Sequence, residues 1–142
     1  MPTYYVNEAM FTLPERGFVD RTIHRLAAPR PGQDPLVVTA RRVPLQPGKT
    51  LREQVEAELA SSAAQVTSFA VVGEAEIALA GLPAILVRVR WRADDAAHYQ
   101  VQVHVALEET WLSFAVTAPW ADRGACDETF DRVARTLTWR SA

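Results

Sequence analysis

Two acidic pairs, Asp94-Asp95 and Glu108-Glu109, divide residues 83–117 into three segments, and this spacing constrains the fold more than any other feature of the chain. In the first segment Ile85, Val87, Val89 and Trp91 alternate with Leu86, Arg88, Arg90 and Arg92. In the second, Tyr99, Val101, Val103, Val105 and Leu107 alternate with Gln100, Gln102, His104 and Ala106. Side chains on a strand point to opposite faces with period two, so both segments predict half-buried strands. The third, Trp111 to Thr117, is apolar at nearly every residue. Acidic residues at the hairpin turns stay in solvent and cost nothing in burial. The stretch reads as a three-strand antiparallel meander with two unlike faces. One is a β-branched and aromatic wall that must be covered; the other carries Arg, Gln and His, and can stay wet or meet a partner.

The rest of the chain is arranged before and after this meander. Tyr4 to Val6 and Ala9 to Leu13 are strand-like pieces closed by Pro14, and Phe18 to Ala27 predicts a longer strand with neither parity cleanly apolar. Pro29, Pro31, Gly32 and Pro35 predict a loop, and Leu36 to Val43 a strand that Pro44 and Pro47-Gly48 end. Thr50 and Glu53 form a Thr-x-x-Glu capping box, in which the hydroxyl accepts from the N3 amide and the carboxylate reaches back. Leu51, Val55 and Leu59 follow at helical spacing, giving an amphipathic helix to about Ala64. Phe69 to Ala80 predicts a strand with Gly73 as a possible bulge. After Pro119, Phe130, Val133, Ala134 and Leu137 predict a closing helix, with Trp139 packing near its end. Two helices covering one face of a mainly antiparallel twisted sheet make an α+β two-layer sandwich, with residues 1–142 as a single domain.

Length and charge narrow the function classes. A chain of 142 residues is long enough to bury roughly 68–70% of its unfolded surface in one core. A net charge of −2 supplies no clustered basic face for nucleic acid. The start, Met1 to Tyr5, has no basic segment leading into an apolar one, which implies a cytoplasmic protein without a secretory signal. The longest apolar run, Ile77 to Val87, is broken by Gly81 and Pro83 and is too short to cross a bilayer, so no direct membrane insertion is expected.

Catalytic and metal motifs are sparse. His24, His98 and His104 lack any paired-ligand spacing. Cys126 is the sole cysteine, so no internal disulfide is possible, and it reads as a buried structural thiol more readily than as a nucleophile. No Gly-x-Ser-x-Gly elbow, Walker loop or Gly-x-Gly-x-x-Gly is present. The chain therefore reads as a non-enzyme that needs no cofactor and no metal. Gln100, Gln102 and His104 form a polar row that could orient a ligand, though a solvated sheet face has the same pattern.

Several motifs in order resemble one family. Tyr4-x-x-Asn7-Glu8, Leu13-Pro14 and Phe18-Val19-Asp20-Arg21-Thr22 are similar to the opening of the DcrB-related domain, and Ala80-Gly81-Leu82-Pro83-Ala84, the Trp91 strand, the helix capped at Thr50 and the last helix fit the same pattern. The resemblance spans essentially the whole chain and implies a PsbP-like fold. A cytoplasmic member of this size resembles the Eag effector-associated chaperones of bacterial type VI secretion. That resemblance implies a homodimer that binds and shields the N-terminal transmembrane helices of an effector, often one with a PAAR spike domain, before loading on the secretion spike. The alternative is a small-ligand or lipid-binding module without catalysis.

The resemblance also assigns groove positions. Ile23 and Val37 match apolar ones, and Glu58 and Gln102 match polar ones that would hydrogen-bond to a bound helix. The chain departs from the pattern at Arg25, where a second apolar residue is expected beside Ile23, and at Glu58, where an amide is expected. Read from the residues alone, Ile23 and Val37 fit a core equally well, Gln102 fits a solvated strand, and Glu58 fits a surface helix.

Overall fold

The computed structural model describes residues 3–5, 10–12, 21–30 and 32–140. Asn7, Glu8, Leu13, Pro14 and the Phe18–Asp20 part of the expected strand lie outside the described residues. In chain order the elements are β1 (Thr3–Tyr5), β2 (Met10–Thr12), β3 (Ile23–Arg30), β4 (Gln33–Pro44), α1 (Leu51–Gln65), β5 (Thr67–Leu79), β6 (Leu82–Ala93), β7 (Ala96–Leu107), β8 (Thr110–Pro119) and α2 (Arg123–Thr136). A single 3-10 turn, Trp120–Asp122, joins β8 to α2. Among the described residues, β1 pairs with β2, and the other six strands form one antiparallel sheet in the order β3-β4-β8-β7-β6-β5.

The turns explain the meander. Asp94 and Asp95 both take positive φ, 52° and 60°, the geometry of a two-residue turn whose twist matches that of the flanking strands. Ala80 and Gly81 do the same between β5 and β6, at 47° and 87°. A two-residue turn fixes register. Ala93 faces Ala96, so Ile85 faces His104, Val87 faces Gln102, and Leu86 faces Val103. The apolar parity of β6 therefore shares a face with the polar parity of β7, not with its apolar parity.

That register decides where the helices go. The sheet has an apolar cluster on each face, and each needs a cover. One face packs Leu86, Val101, Val103 and Val116 against Cys126 and Phe130 of α2. The other packs Ile85, Val87, Val89 and Trp111 against Val55 of α1, with Leu51 and Leu59 beside it. The α+β class and the antiparallel sheet stand as the sequence predicts. The two helices, expected together on one face, lie on opposite faces. Each strand alternates as read, but the two-residue turns put successive alternations out of phase.

Local anchors hold each helix. The Thr50 box is complete: Glu53 N–H donates to Thr50 Oγ1 at 3.1 Å and Thr50 N–H to Glu53 Oε1 at 3.1 Å. Hydrogen bonding to the Glu53 carboxylate from the Thr50 backbone amide, and then from the Thr50 side chain, lowers the pKa of Glu53. Gln54, only 5% exposed, ties the approach loop to α1 by accepting from Gln46 N–H and donating to Lys49 O and Thr50 O. On α2 the Cys126 thiol donates to Val116 O at 3.2 Å, and burial pushes its pKa up to about 11, as suits a structural thiol. Trp139 donates from Nε1 to Ala80 O, joining the end of the chain to the β5–β6 turn. Pro29 and Pro35 lie within the paired strands β3 and β4 rather than in a free loop. Pro29 falls where the β3–β4 register shifts, a position that tolerates a missing donor.

Asp95→Gly should raise the unfolding free energy by up to about 1 kcal/mol, because glycine takes the left-handed conformation without the penalty of a Cβ. Urea unfolding should show a higher midpoint at an unchanged slope.

Candidate functional site

The face that carries α1 is only partly covered. α1 lies over the β5–β7 side of the sheet, and the surface from β7 across β8 and β4 to β3 is left beside it. Register alone sets its rows: Gln102 faces Ala115, Ala115 faces Thr39, and Thr39 faces Arg25. A cleft of about 200 Å³ opens here, with Ile23, Arg41, Glu58, Gln102 and His104 on its walls and floor.

A chain of hydrogen bonds runs along the floor. Trp111 Nε1–H donates to His104 Nδ1 at 3.0 Å, and His104 Nε2 meets Gln102 Oε1 at 2.8 Å. Gln102 Nε2 donates to Gln100 Oε1 at 2.6 Å, and Gln100 Nε2 donates to Thr117 Oγ1 at 2.9 Å. The inner end is core, with His104 2% and Trp111 7% exposed. The outer end, Gln102, Gln100 and Thr117, is half-buried. Among the described residues no buried side-chain N or O atom lacks a partner, so the row is a satisfied polar surface and not a defect.

One wall is an ion pair between α1 and β4. Arg41 donates through both terminal nitrogens to the two Glu58 oxygens, at 2.5 and 2.9 Å, and its guanidinium lies 5.0 Å from the centre of the Trp111 ring. The pair separates this cleft from a second one, of about 410 Å³, that runs toward Pro47 and Gln54. A bidentate, stacked arginine is held more firmly than a solvated one.

Of the four positions assigned from sequence, Ile23, Glu58 and Gln102 meet at this one cleft. Val37 lies beyond it on the same face, facing Thr117 on β8 and Ala27 on β3. Ile23 sits on the edge strand at 62% exposure, outside the core. Glu58 is not a free acceptor, since Arg41 occupies both of its oxygens. The face was expected to be clear of the protein's own helices; it is instead shared with α1, and the cleft is the part that α1 leaves open. Arg41, Trp111 and Thr117 had no part in the sequence reading of the site. For Trp111 and Thr117 a signal existed: the odd positions of β8 are Trp111, Ser113, Ala115 and Thr117, a parity distinct from Leu112, Phe114 and Val116.

His104 makes the site sensitive to acid. Burial lowers its pKa to about 4; Glu58 opposes the shift and Arg41 adds to it. The ring is neutral in the fold, while in the unfolded chain it titrates near 6.5. Its contribution to stability is thus complete above about 6.5 and is lost as pH falls toward about 4. Within that window unfolding free energy should fall by up to about 1.4 kcal/mol per pH unit. His104→Gln, uncharged throughout, should remove this slope in urea titrations whatever its absolute stability.

Residues 8–136 match the sequence model of the DcrB family. The fold is shared with PA94 of Pseudomonas aeruginosa, a protein of unknown function, at 20% identity and a TM-score of 0.82 over 100% of this chain and 99% of that one. It is also similar to LpqN of Mycobacterium tuberculosis, described as involved in cell envelope biogenesis, at 12% identity and a TM-score of 0.61 over 83% of each chain. A third neighbour is the PsbP protein of the cyanobacterium Synechocystis, at 10% identity and a TM-score of 0.58 over 92% of this chain and 98% of that one. No curated protein sequence matches.

Proposed function

This chain belongs to the DcrB family, and from the open part of its sheet we propose that it is a non-catalytic adaptor chaperone. Its cargo is the apolar N-terminal helices of a type VI secretion effector, shielded in the cytoplasm before the effector is loaded on the secretion spike. The observation that carries this reading is the composition of the open face. A satisfied polar row is flanked by Ile23, 62% exposed, and by half-buried Val37. Ile23 and Ala115 line the cleft beside the polar row, and apolar surface rimmed by polar groups marks interaction sites.

Dimensions support the same occupant. Four strands, β7, β8, β4 and β3, floor the open face, and strands spaced ~4.8 Å apart give it a width of about 14 Å. A helix with its side chains is about 10–12 Å across, so one helix lies along the groove of one protomer. A second helix calls for a second groove, which is the use of a homodimer. A cleft of about 200 Å³ is smaller than the roughly 300–1,000 Å³ usual for small-molecule sites. The smaller cleft thus suits a ligand lying along the sheet, while the adjoining one of about 410 Å³ falls within that range and is where a small-ligand alternative would rest. Among the described residues no helix is long and apolar enough to cross a membrane.

The test is co-expression with the N-terminal segment of the effector encoded beside this chain, followed by the mass of the purified complex. A soluble complex, with the segment insoluble alone, is the expected outcome; a segment that precipitates while this chain stays free overturns the reading for that cargo. Ile23→Asp should abolish capture and change stability by no more than about 0.5 kcal/mol, since the residue is exposed on an edge strand. Loss of capture together with unfolding would instead make Ile23 structural.

A further inference from the structure

We infer that Trp111 sets the direction of the hydrogen-bond row, so that Thr117 meets the occupant as a donor and the groove selects helices that place an oxygen acceptor against it. The identity of the occupant rests on the chaperone reading; the direction of the row does not.

The argument starts from one residue with no choice. An indole N–H can only donate. Trp111 donates to His104 Nδ1, so that nitrogen carries the lone pair. A neutral imidazole has one donor and one acceptor, which leaves the proton on Nε2. Burial of His104 keeps the ring neutral. Nε2–H then donates to Gln102 Oε1, which turns the Gln102 amide nitrogen toward Gln100 Oε1. The Gln100 amide nitrogen is in turn directed at Thr117 Oγ1. Every bond points the same way. A row started by an acceptor would reverse each amide and present lone pairs at its far end.

The far end is where an occupant is met. Thr117 accepts from Gln100, so its own O–H points away from the row, and among the described residues no acceptor is recorded for it. It lies opposite Val37, the apolar groove position on β4. Where the groove is open to solvent, water can pair that hydroxyl. An all-apolar helix would expel the water and leave a buried donor unpaired, whereas a helix with a serine oxygen at that point would pair it. Trp111 acts through His104 and the two glutamines and is therefore a positioning residue; Thr117 is the contact.

Two measurements on the whole protein test this. Long-range proton–nitrogen correlations of isotope-labelled protein should show the His104 ring with its proton on Nε2, and Trp111→Phe should release it into a mixture of both forms. A proton on Nδ1 in the unmodified protein, or an unchanged ring in Trp111→Phe, overturns the direction without reference to any cargo. For selectivity, the probes are two Lys-flanked Leu-Ala helical peptides of about 20 residues, alike except for one central Ala→Ser change in which the serine oxygen is methylated, so that it can only accept. The serine peptide should bind about tenfold more tightly, with the preference lost in Thr117→Val and kept in Thr117→Ser. A preference that survives Thr117→Val overturns the donor role and leaves the chaperone reading standing. If neither peptide binds while the ring has the expected form, the chaperone reading fails and the selectivity falls with it.

Discussion

The two-residue turn at Asp94-Asp95 is the constraint on which the rest of the structure depends. With both residues at positive φ, the hairpin can close in one register, and that register pairs odd positions of β6 with even positions of β7. The apolar half of each strand then lies on a different face. A sheet built this way has no single greasy side. Each face presents a narrow apolar band that one helix can cover, and the chain supplies one helix for each. The β7–β8 turn, with Glu108 at positive φ, repeats the logic and puts Val101, Val103 and Val116 together under α2.

The same register creates the polar row. The polar half of β7 is delivered to the face that carries α1, beside an apolar cluster it does not belong to. His104 faces Ile85 and Ser113 and would be a costly buried group without partners. Trp111 and Gln102 supply them. The row is therefore both a consequence of the turn and the price of it. What α1 leaves open follows from where it docks, with its contacts on β5 and β7. Its apolar stripe is Leu51, Val55 and Leu59, enough for one end of the face, while β4 and β3 extend past its reach.

Much of this was legible in the sequence, for identifiable reasons. The capping box, the helix stripe and the acidic turns are local signals that read correctly because each is completed within a few residues. The α+β class follows from them, and so does an antiparallel sheet. The relative phase of neighbouring strands was misread although its signal was present: two turn residues put unlike parities opposite each other, and joining the apolar halves on one face would have required an odd number. The Arg41–Glu58 pair had no comparable signal. It joins β4 to α1 across 17 positions and depends on how the helix docks, which no local pattern reports. The strand Trp111 to Thr117 reads as apolar at nearly every residue when alanine and tryptophan count with valine; size and polarity, not apolarity alone, separate its two faces.

The row also separates folding from recognition along its length. At its inner end, His104 and Trp111 are buried in the α1-side core, so a change there removes packing as well as hydrogen bonds and is felt by the whole domain. At its outer end, Gln100, Gln102 and Thr117 are half-buried and face the open groove, where a change alters the surface more than the fold. Ile23 is further out still, on the strand that ends the sheet among the described residues. Such a gradient lets the direction of a hydrogen bond be set where the structure is most rigid and be used where it is most accessible. It also places the least adaptable residue, a donor-only indole, at the start of the row. From that position one side chain governs the polarity of four others, and a glutamine at the surface inherits an orientation that its immediate surroundings would not impose.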